Sequence, residues 1–248
     1  MPRAISIDDT YIHISKDAKE CSSEAAAKIL SLIIKNPVRR ISFATGAVMS
    51  GVYDQLVKQT QRDQVDWSDV ECFQVAEYYP CLPSESFSFT KFLKENLVRP
   101  LFLSDARVHF LDATTDDAFS EVKRFDLLLH DLDLSILGIG PGGHLGLNEP
   151  GSSFDSRTRL VDLAPATIVR DHVQRGLQTP TQGLTQGMAN ILGVNQIFLI
   201  AMGESKADLI QHMFNQPISE NFPATALRAV GKKVTLFLDE AAAVGLGR

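Results

Sequence analysis

The chain has 248 residues, of which 44% are hydrophobic and 22% charged, an ordinary globular composition that excludes a disordered or low-complexity protein. Its 24 basic and 30 acidic residues give a net charge of −6, without the basic excess expected of a nucleic-acid-binding protein. Because no linker rich in Pro, Gly or Ser divides the sequence, we expect one domain over residues 1–248.

Neither membrane insertion nor secretion is indicated by the sequence. The longest apolar-rich stretch near the start, residues 29–34, is far shorter than the roughly 20 residues that span a bilayer. The first residues carry charge early and lack the apolar core of a signal peptide. The three cysteines, Cys21, Cys72 and Cys81, are odd in number and lack metal-ligand spacing. We therefore expect a cytoplasmic protein with reduced thiols, no membrane partner and no metal.

Helical and strand-like segments alternate along the chain. Residues 24–35 predict an amphipathic helix capped by Ser22 or Ser23. Residues 40–44 predict a strand that ends in a tight turn before helical spacing resumes at residues 53–58. Further strands are predicted at residues 71–75, 107–111, 132–139, 196–201 and 234–238. This alternation predicts an α/β fold with three α/β/α layers and a mainly parallel sheet, whose ligand site lies beyond the carboxyl ends of the strands.

The densest loop follows the most apolar strand and covers residues 138–150. It holds five glycines and His144, a combination that permits close approach of backbone N–H groups to an anion and proton transfer near neutral pH. The alternative is a strand-to-helix turn in which His144 is a satisfied loop residue. The loop contains the spacing of a dinucleotide-binding fingerprint, but Asn148-Glu149-Pro150 stands where a long helix should open. No cofactor is expected.

A second candidate loop, residues 44–51, joins the first predicted strand of the sheet to its helix. Thr45, Gly46 and Ala47 place a hydroxyl and backbone donors at a helix start, where a phosphate can bind. The alternative is an ordinary strand-to-helix turn.

The loop sequence GIGPGGHLGLNEP, together with Ser152-Ser153 and Ser156-Arg-Thr-Arg159, resembles the signature of the glucosamine-6-phosphate deaminase/isomerase family, which includes galactosamine-6-phosphate isomerase-like members. Similar segments recur at Thr45-Gly46, at residues 77–87 in an active-site loop, at residues 183–192 in the helix after a lid, and at residues 202–207. The resemblance spans about residues 20–245 and implies a Rossmann-like sugar-phosphate isomerase/deaminase fold. Asn148-Glu149-Pro150 favours this family over the related 6-phosphogluconolactonases.

The resemblance also implies roles for individual residues. His144 matches the histidine that opens the sugar ring, and Glu149 matches its acidic partner. The substrate and its phosphate are then expected to meet Thr45, Gly46, Ala47, Gly142, Gly143, Arg170 and Lys206. The distance back from Thr179-Pro180 favours Arg170 over Arg175 for the phosphate contact.

Two family aspartates are replaced in this chain. Ala76 stands where the family carries the aspartate that moves a proton between C2 and C1, and Gly142 stands before the loop histidine in place of another. Proton abstraction beside a carbonyl needs a base, and alanine has none. Glu77 is a candidate replacement, although neighbouring side chains of an extended segment point to opposite sides.

Two functions follow from this pattern. The first is an aminosugar-phosphate isomerase or deaminase in carbohydrate metabolism, with a sugar phosphate as its small-molecule partner and with homo-oligomerisation open. The second is a noncatalytic descendant that binds a sugar phosphate or has a regulatory role.

Overall fold

The computed structural model describes residues 3–35, 38–176 and 178–246. Its strands are β1 (Arg3–Ile7), β2 (Thr10–Ser15), β3 (Arg40–Phe43), β4 (Glu71–Gln74), β5 (Ala76–Tyr79), β6 (Val108–His109), β7 (Leu134–Gly138), β8 (Arg159–Asp162), β9 (Gln182–Thr185), β10 (Gln196–Ala201) and β11 (Val234–Asp239). Its α-helices are α1 (Ala18–Lys35), α2 (Ala47–Asp63), α3 (Phe89–Leu93), α4 (Ala118–Leu128), α5 (Pro165–Arg175), α6 (Met188–Gly193) and α7 (Ala207–Asn215). A π-helical turn, Lys94–Val98, continues α3, and a 3₁₀ segment, Pro223–Lys233, precedes β11.

The main sheet has eight strands among the described residues, in the order β1-β2-β11-β10-β7-β3-β4-β6. Every pair from β2 to β6 is parallel, and only the hairpin of β1 and β2 is antiparallel. The predicted α/β architecture with a mainly parallel sheet is therefore confirmed. The chain runs outward from β3 to β4 on one side and from β7 to β10 on the other, so the sheet reverses its order between β3 and β7.

The central strands are buried on both faces, as parallel strands covered by helices are. Ile136 of β7 packs into a cluster with α1 and α2, whereas the next residue, Leu137, packs into the opposite cluster with α4, α6 and α7. Leu199 and Ile200 of β10 divide in the same way. Two apolar clusters therefore sandwich the sheet and give the predicted three layers.

The first helix begins earlier than predicted. Its start is Ala18, and the Asp17 carboxylate accepts a hydrogen bond from the Glu20 N–H at 2.8 Å, so Asp17 satisfies a free donor of the first turn. Ser22 lies inside the helix, where its hydroxyl donates to the Ala18 carbonyl at 2.8 Å. The predicted cap at Ser22 or Ser23 is wrong because the Asp17 carboxylate, five or six residues upstream, supplies it.

A second, three-stranded antiparallel sheet of β5, β9 and β8 lies outside the sequence prediction. Residues 183–192, which were expected to form one helix, divide into most of β9 and then α6. Gly187 marks the break: a Cβ there would lie 2.0 Å from the Ser156 carbonyl oxygen. None of the described helices is both long and apolar enough to cross a membrane.

Candidate functional site

A cavity of about 710 Å³ opens at the carboxyl ends of the central strands, beside the point where the sheet order reverses. Its walls come from the segments that follow β3, β4, β7 and β10, together with helix α5. The sequence predicted a ligand site beyond the carboxyl ends of the strands, and this is where the cavity lies. Thr45 and His144 line the same cavity.

One wall is the start of helix α2. Gly46 is its N-cap residue with φ of 140°, and a Cβ on Gly46 would meet nothing within 4 Å. The open space lies beside Thr45 and Ala47, both of which line the cavity. The first N–H groups of a helix have no partner within the helix and favour an anion, so this wall is suited to a phosphate.

Lys206 lies on the opposite side of the β7 loop from this helix start. Its ammonium donates a hydrogen bond to the Ile139 carbonyl at 2.7 Å, which holds a partly buried cation above the end of β7. Burial, followed by the nearby Arg170 guanidinium, lowers the pKa of Lys206 below its usual value. An anion bound in the cavity would raise the pKa of Lys206 again, because a nearby negative charge favours the charged ammonium.

His144 presents one ring nitrogen to the cavity. Its Nδ1 lies 2.8 Å from the Gly146 carbonyl oxygen, and a carbonyl oxygen accepts hydrogen bonds only. Nδ1 therefore carries the proton of the neutral ring, and Nε2 is the unprotonated nitrogen, 3.5 Å from a terminal nitrogen of Arg170. Burial is the main cause that lowers the pKa of His144 below 6.5, so the ring is neutral at pH 7.

Gly140 makes room for this imidazole. A Cβ on Gly140 would lie 1.7 Å from His144 Nε2, so any other residue at position 140 would displace the ring. The position of the His144 ring, rather than the backbone conformation, thus requires glycine at 140.

Glu149, the expected acidic partner of His144, makes no hydrogen bond to the imidazole ring. One of its carboxylate oxygens accepts a hydrogen bond from the Ala164 N–H, at the residue that caps helix α5. The Gly146 carbonyl, rather than Glu149, orients the ring, because Gly146 adopts φ of 61° and turns its carbonyl under Nδ1. Glu149 acts on His144 through its charge, which favours the protonated ring.

Both candidate phosphate arginines lie on α5 and line the cavity. Arg170 reaches the centre of the site: one terminal nitrogen lies 3.5 Å from His144 Nε2, and its Nε donates to Asp171 at 2.8 Å. The Arg175 guanidinium instead stacks over Phe89, 5.1 Å from the ring centroid. Arg170 is thus the arginine that lies beside His144.

Glu77 lies outside the cavity, in the packing between β5 and the start of α3. Its carboxylate is 1% exposed and accepts hydrogen bonds from the backbone N–H groups of Tyr78, Phe89 and Thr90 at 2.7–2.9 Å. The Ser88 hydroxyl adds another at 2.9 Å. Ala76 and Tyr78 line the cavity, so the alternation of β5 turns Glu77 to the other side. This position argues against Glu77 as a replacement base.

Ala76 and Gly142 both line the cavity, and neither brings a carboxylate to it. The remaining carboxylates among the described lining residues are Asp171 and Asp208. Asp171 is 2% exposed and accepts a hydrogen bond from the Tyr78 hydroxyl at 2.6 Å. Sequence analysis missed Asp171, because a lone aspartate after Arg170 in an amphipathic helix has no distinguishing pattern.

No metal site emerges from the part of the chain that the structure describes: His, Cys, Asp and Glu residues form no group of three suited to a metal ion there. The lining of the cavity combines a helix start, two arginines, one lysine and a neutral histidine, a set suited to an anionic, proton-exchanging substrate.

The fold and this cavity define an α/β protein whose candidate site, suited to an anion, lies where the order of a parallel sheet reverses. The chain belongs to the family described as glucosamine-6-phosphate isomerases/6-phosphogluconolactonase, whose model matches residues 15–236.

Individual relatives agree with that assignment. The chain is 32% identical over 237 residues to a glucosamine-6-phosphate deaminase of Alkaliphilus metalliredigens, covering 94% of this chain and 98% of the relative. A glucosamine-6-phosphate deaminase of Staphylococcus aureus is 33% identical over 230 residues, covering 90% and 91% respectively.

Solved structures show the same fold. A monomeric glucosamine-6-phosphate deaminase superposes with a TM-score of 0.89 at 30% identity, over 94% of this chain and 98% of the other. The 6-phosphogluconolactonase of Trypanosoma brucei superposes with a TM-score of 0.77 at 17% identity, over 95% and 98%, which establishes similarity of fold alone.

Proposed function

We propose that this protein is an enzyme of the aminosugar-phosphate isomerase and deaminase type, acting on glucosamine-6-phosphate or galactosamine-6-phosphate. The observation that carries the proposal is one cavity that holds both a set of groups suited to an anion and a neutral histidine with an unprotonated Nε2. Thr45, the α2 start and Lys206 provide the phosphate end, and His144 provides the proton-transfer end.

The deaminase branch is favoured over the lactonase branch by sequence and by local structure. Identity is 30–33% to glucosamine-6-phosphate deaminases and 17% to the lactonase of Trypanosoma brucei. Asn148, which belongs to the segment that distinguishes the branches, is buried: its amide donates to the Leu145 and Gln186 carbonyls, and its oxygen accepts from Arg159 at 2.7 Å. These contacts fix the loop that carries His144.

Ring opening is the step for which the structure offers a complete set of groups. His144 Nε2 takes the proton of the anomeric hydroxyl, the bond between C1 and the ring oxygen breaks, and the same proton passes to that oxygen. The product is the open-chain aldehyde, and His144 returns to its neutral form. A histidine with a lowered pKa suits this role, since it is already unprotonated at neutral pH.

The noncatalytic alternative rests on Ala76 and Gly142, which leave the two family aspartate positions without a carboxylate. Such a protein would keep the phosphate contacts and bind sugar phosphates without breaking the C2–H bond. The family relationship and the intact His144 site support the enzyme over this alternative.

Proton exchange at C2 separates the two functions. The protein is incubated in deuterated water with glucosamine-6-phosphate or galactosamine-6-phosphate, exchange at C2 is followed by NMR, and binding is measured by calorimetry. We expect binding together with exchange for at least one substrate. Binding without exchange would establish the noncatalytic alternative, and absence of binding to either sugar phosphate would refute both.

A further inference from the structure

The cavity lacks the family carboxylate at position 76 but receives another one from a different element. Asp171 projects from α5, lines the cavity and is almost fully enclosed. Asp208, the other lining carboxylate among the described residues, is exposed in the first turn of α7. Asp171 is therefore the acidic group best held in a fixed position at this site.

Tyr78 connects Asp171 to the face on which Ala76 lies. Residues 76 and 78 are two apart on β5, so their side chains share one face of the strand, and both line the cavity. The Tyr78 hydroxyl donates to Asp171 Oδ2 at 2.6 Å. The Asp171 carboxylate is thus hydrogen-bonded to Tyr78, which lies two residues after Ala76 on the same face of β5.

Arg170 connects Asp171 to the histidine at the other end. Its Nε donates to Asp171 Oδ1 at 2.8 Å, and its terminal nitrogen lies 3.5 Å from His144 Nε2. Asp171 Oδ1 lies 2.8 Å from both the Nε and a terminal nitrogen of Arg170, whereas Oδ2 accepts from Tyr78 and keeps a second lone pair, so Oδ2 is the oxygen able to accept a proton. A continuous row of polar groups runs from the Ala76 face of β5 to His144.

We propose that Asp171 is the base that exchanges the C2 proton, in place of the aspartate that Ala76 replaces; this inference rests on the proposed function. In the open-chain aldehyde, Asp171 takes the proton from C2, the C2–H electron pair forms a C1–C2 double bond, and the carbonyl pair moves onto O1 beside Arg170. Return of the proton to C2 restores the substrate. Delivery to C1 instead lets the nitrogen lone pair form a C2–N double bond, and a proton from that nitrogen neutralises O1.

Tyr78 is a positioning residue in this arrangement. Burial, followed by its hydrogen bond to Asp171, raises the pKa of the phenol well above its usual value, so Tyr78 remains a hydrogen-bond donor at neutral pH. A purely structural role for the pair is the competing explanation, in which the bond only fastens α5 over the cavity.

Two single substitutions separate these roles. Asp171→Asn keeps an oxygen that accepts from Tyr78 but removes the base, whereas Tyr78→Phe removes the bond and keeps the carboxylate. For Asp171→Asn we expect C2 exchange of glucosamine-6-phosphate or galactosamine-6-phosphate to fall about 10²–10⁴-fold, the usual contribution of a general base, with Kd changed less than about threefold. For Tyr78→Phe we expect a smaller loss, about 3–10-fold, in exchange.

A double variant provides rescue. Ala76→Asp in the Asp171→Asn background restores a carboxylate from β5, and we expect it to recover at least about tenfold of the lost exchange, because a positioned base contributes about 10²–10⁴-fold. Wild-type exchange in Asp171→Asn, a larger loss in Tyr78→Phe than in Asp171→Asn, or abolition by Asp208→Asn alone would each overturn Asp171 as the base while leaving the proposed function intact. A wild type that does not exchange C2 would overturn both.

Discussion

Replacing Glu77 by glutamine tests whether this residue holds the fold or takes part in the chemistry. The carboxylate is buried and accepts from three backbone N–H groups and from the Ser88 hydroxyl. Tyr78 and Phe89 donate to one oxygen, and Thr90 and Ser88 donate to the other. An amide cannot satisfy both sets, because its NH₂ group would face donors on whichever side it occupies.

The size of the effect follows from the bonds that are lost. One or two backbone donors lose a charged acceptor, and a hydrogen bond to a charged group contributes about 1.5–3 kcal/mol. We expect Glu77→Gln to lower the free energy of unfolding by about 2–5 kcal/mol. For a chain of this size each kcal/mol shifts Tm by about 2–4 °C, which gives a decrease of about 4–20 °C.

Calorimetric Tm and C2 exchange are measured on the same preparations, with exchange recorded well below the variant's Tm. Glu85→Gln, on the same connection and partly exposed, is the control, and we expect its Tm to stay within about 2 °C of wild type, as surface substitutions usually change stability by less than about 0.5 kcal/mol. A Glu77→Gln protein with the wild-type Tm and exchange reduced 100-fold or more would refute the reasoning and establish Glu77 as the base.

Three further predictions concern the cavity and its loop. Lys206→Met removes a cation but keeps the side-chain stem, and calorimetry with inorganic phosphate should show affinity lowered about 10–150-fold, from about 1.5–3 kcal/mol for a charged contact; equal affinities would exclude Lys206 from the site. The His144 imidazole should titrate by NMR with a midpoint below 6.5. Since the unfolded chain binds that proton at higher pH than the folded chain, the contribution of His144 to stability declines as pH falls below about 6.5, and a midpoint at or above 6.5 would contradict this. Gly143 has φ of 74°, and a Cβ added there would lie 2.3 Å from the Phe222 ring, whereas Gly151 has φ of 93° and a Cβ added there would meet nothing within 4 Å, so Gly143→Ala and Gly151→Ala form a matched pair. Urea unfolding should show that the free energy of unfolding falls by about 2–5 kcal/mol in Gly143→Ala and by about 1–2 kcal/mol in Gly151→Ala. Equal decreases would show that the Phe222 ring moves aside at no cost.

The two loops at residues 44–51 and 138–150 that line the cavity could be predicted from the sequence because local backbone geometry specifies them. Gly46 is the N-cap residue of a helix, and Gly140 leaves space for the His144 ring, so each of these two glycines in the sequence marks a local structural requirement. Alternation along β5 predicted that Glu77 points away from Ala76, and the cavity lining bears this out.

Other parts depend on contacts between distant segments, which no local pattern encodes. The β1–β2 hairpin joins the main sheet through β11, more than 200 residues later. The small sheet pairs β5 with β9 across about 100 residues. The hydrogen bond between Tyr78 and Asp171 needs both that sheet and the placement of α5, so the sequence alone could not predict that Asp171 lines the cavity.

Positions 76 and 142, at which the sequence resemblance leads us to expect an aspartate, differ in how readily the fold could accept one. Position 76 is on a strand, in a conformation open to any residue, and its side chain faces the cavity. Position 142 has φ of 68°, and a Cβ there would lie 2.8 Å from Pro150. Aspartate tolerates a left-handed backbone better than most residues, yet Pro150 would have to move, and Pro150 immediately follows Glu149, whose carboxylate holds the N–H of the α5 cap. The loop has therefore adapted its packing to glycine at 142, whereas alanine at 76 leaves the strand unchanged. Of the two positions, 76 is therefore the one at which an aspartate can be introduced with the smaller change in backbone and packing.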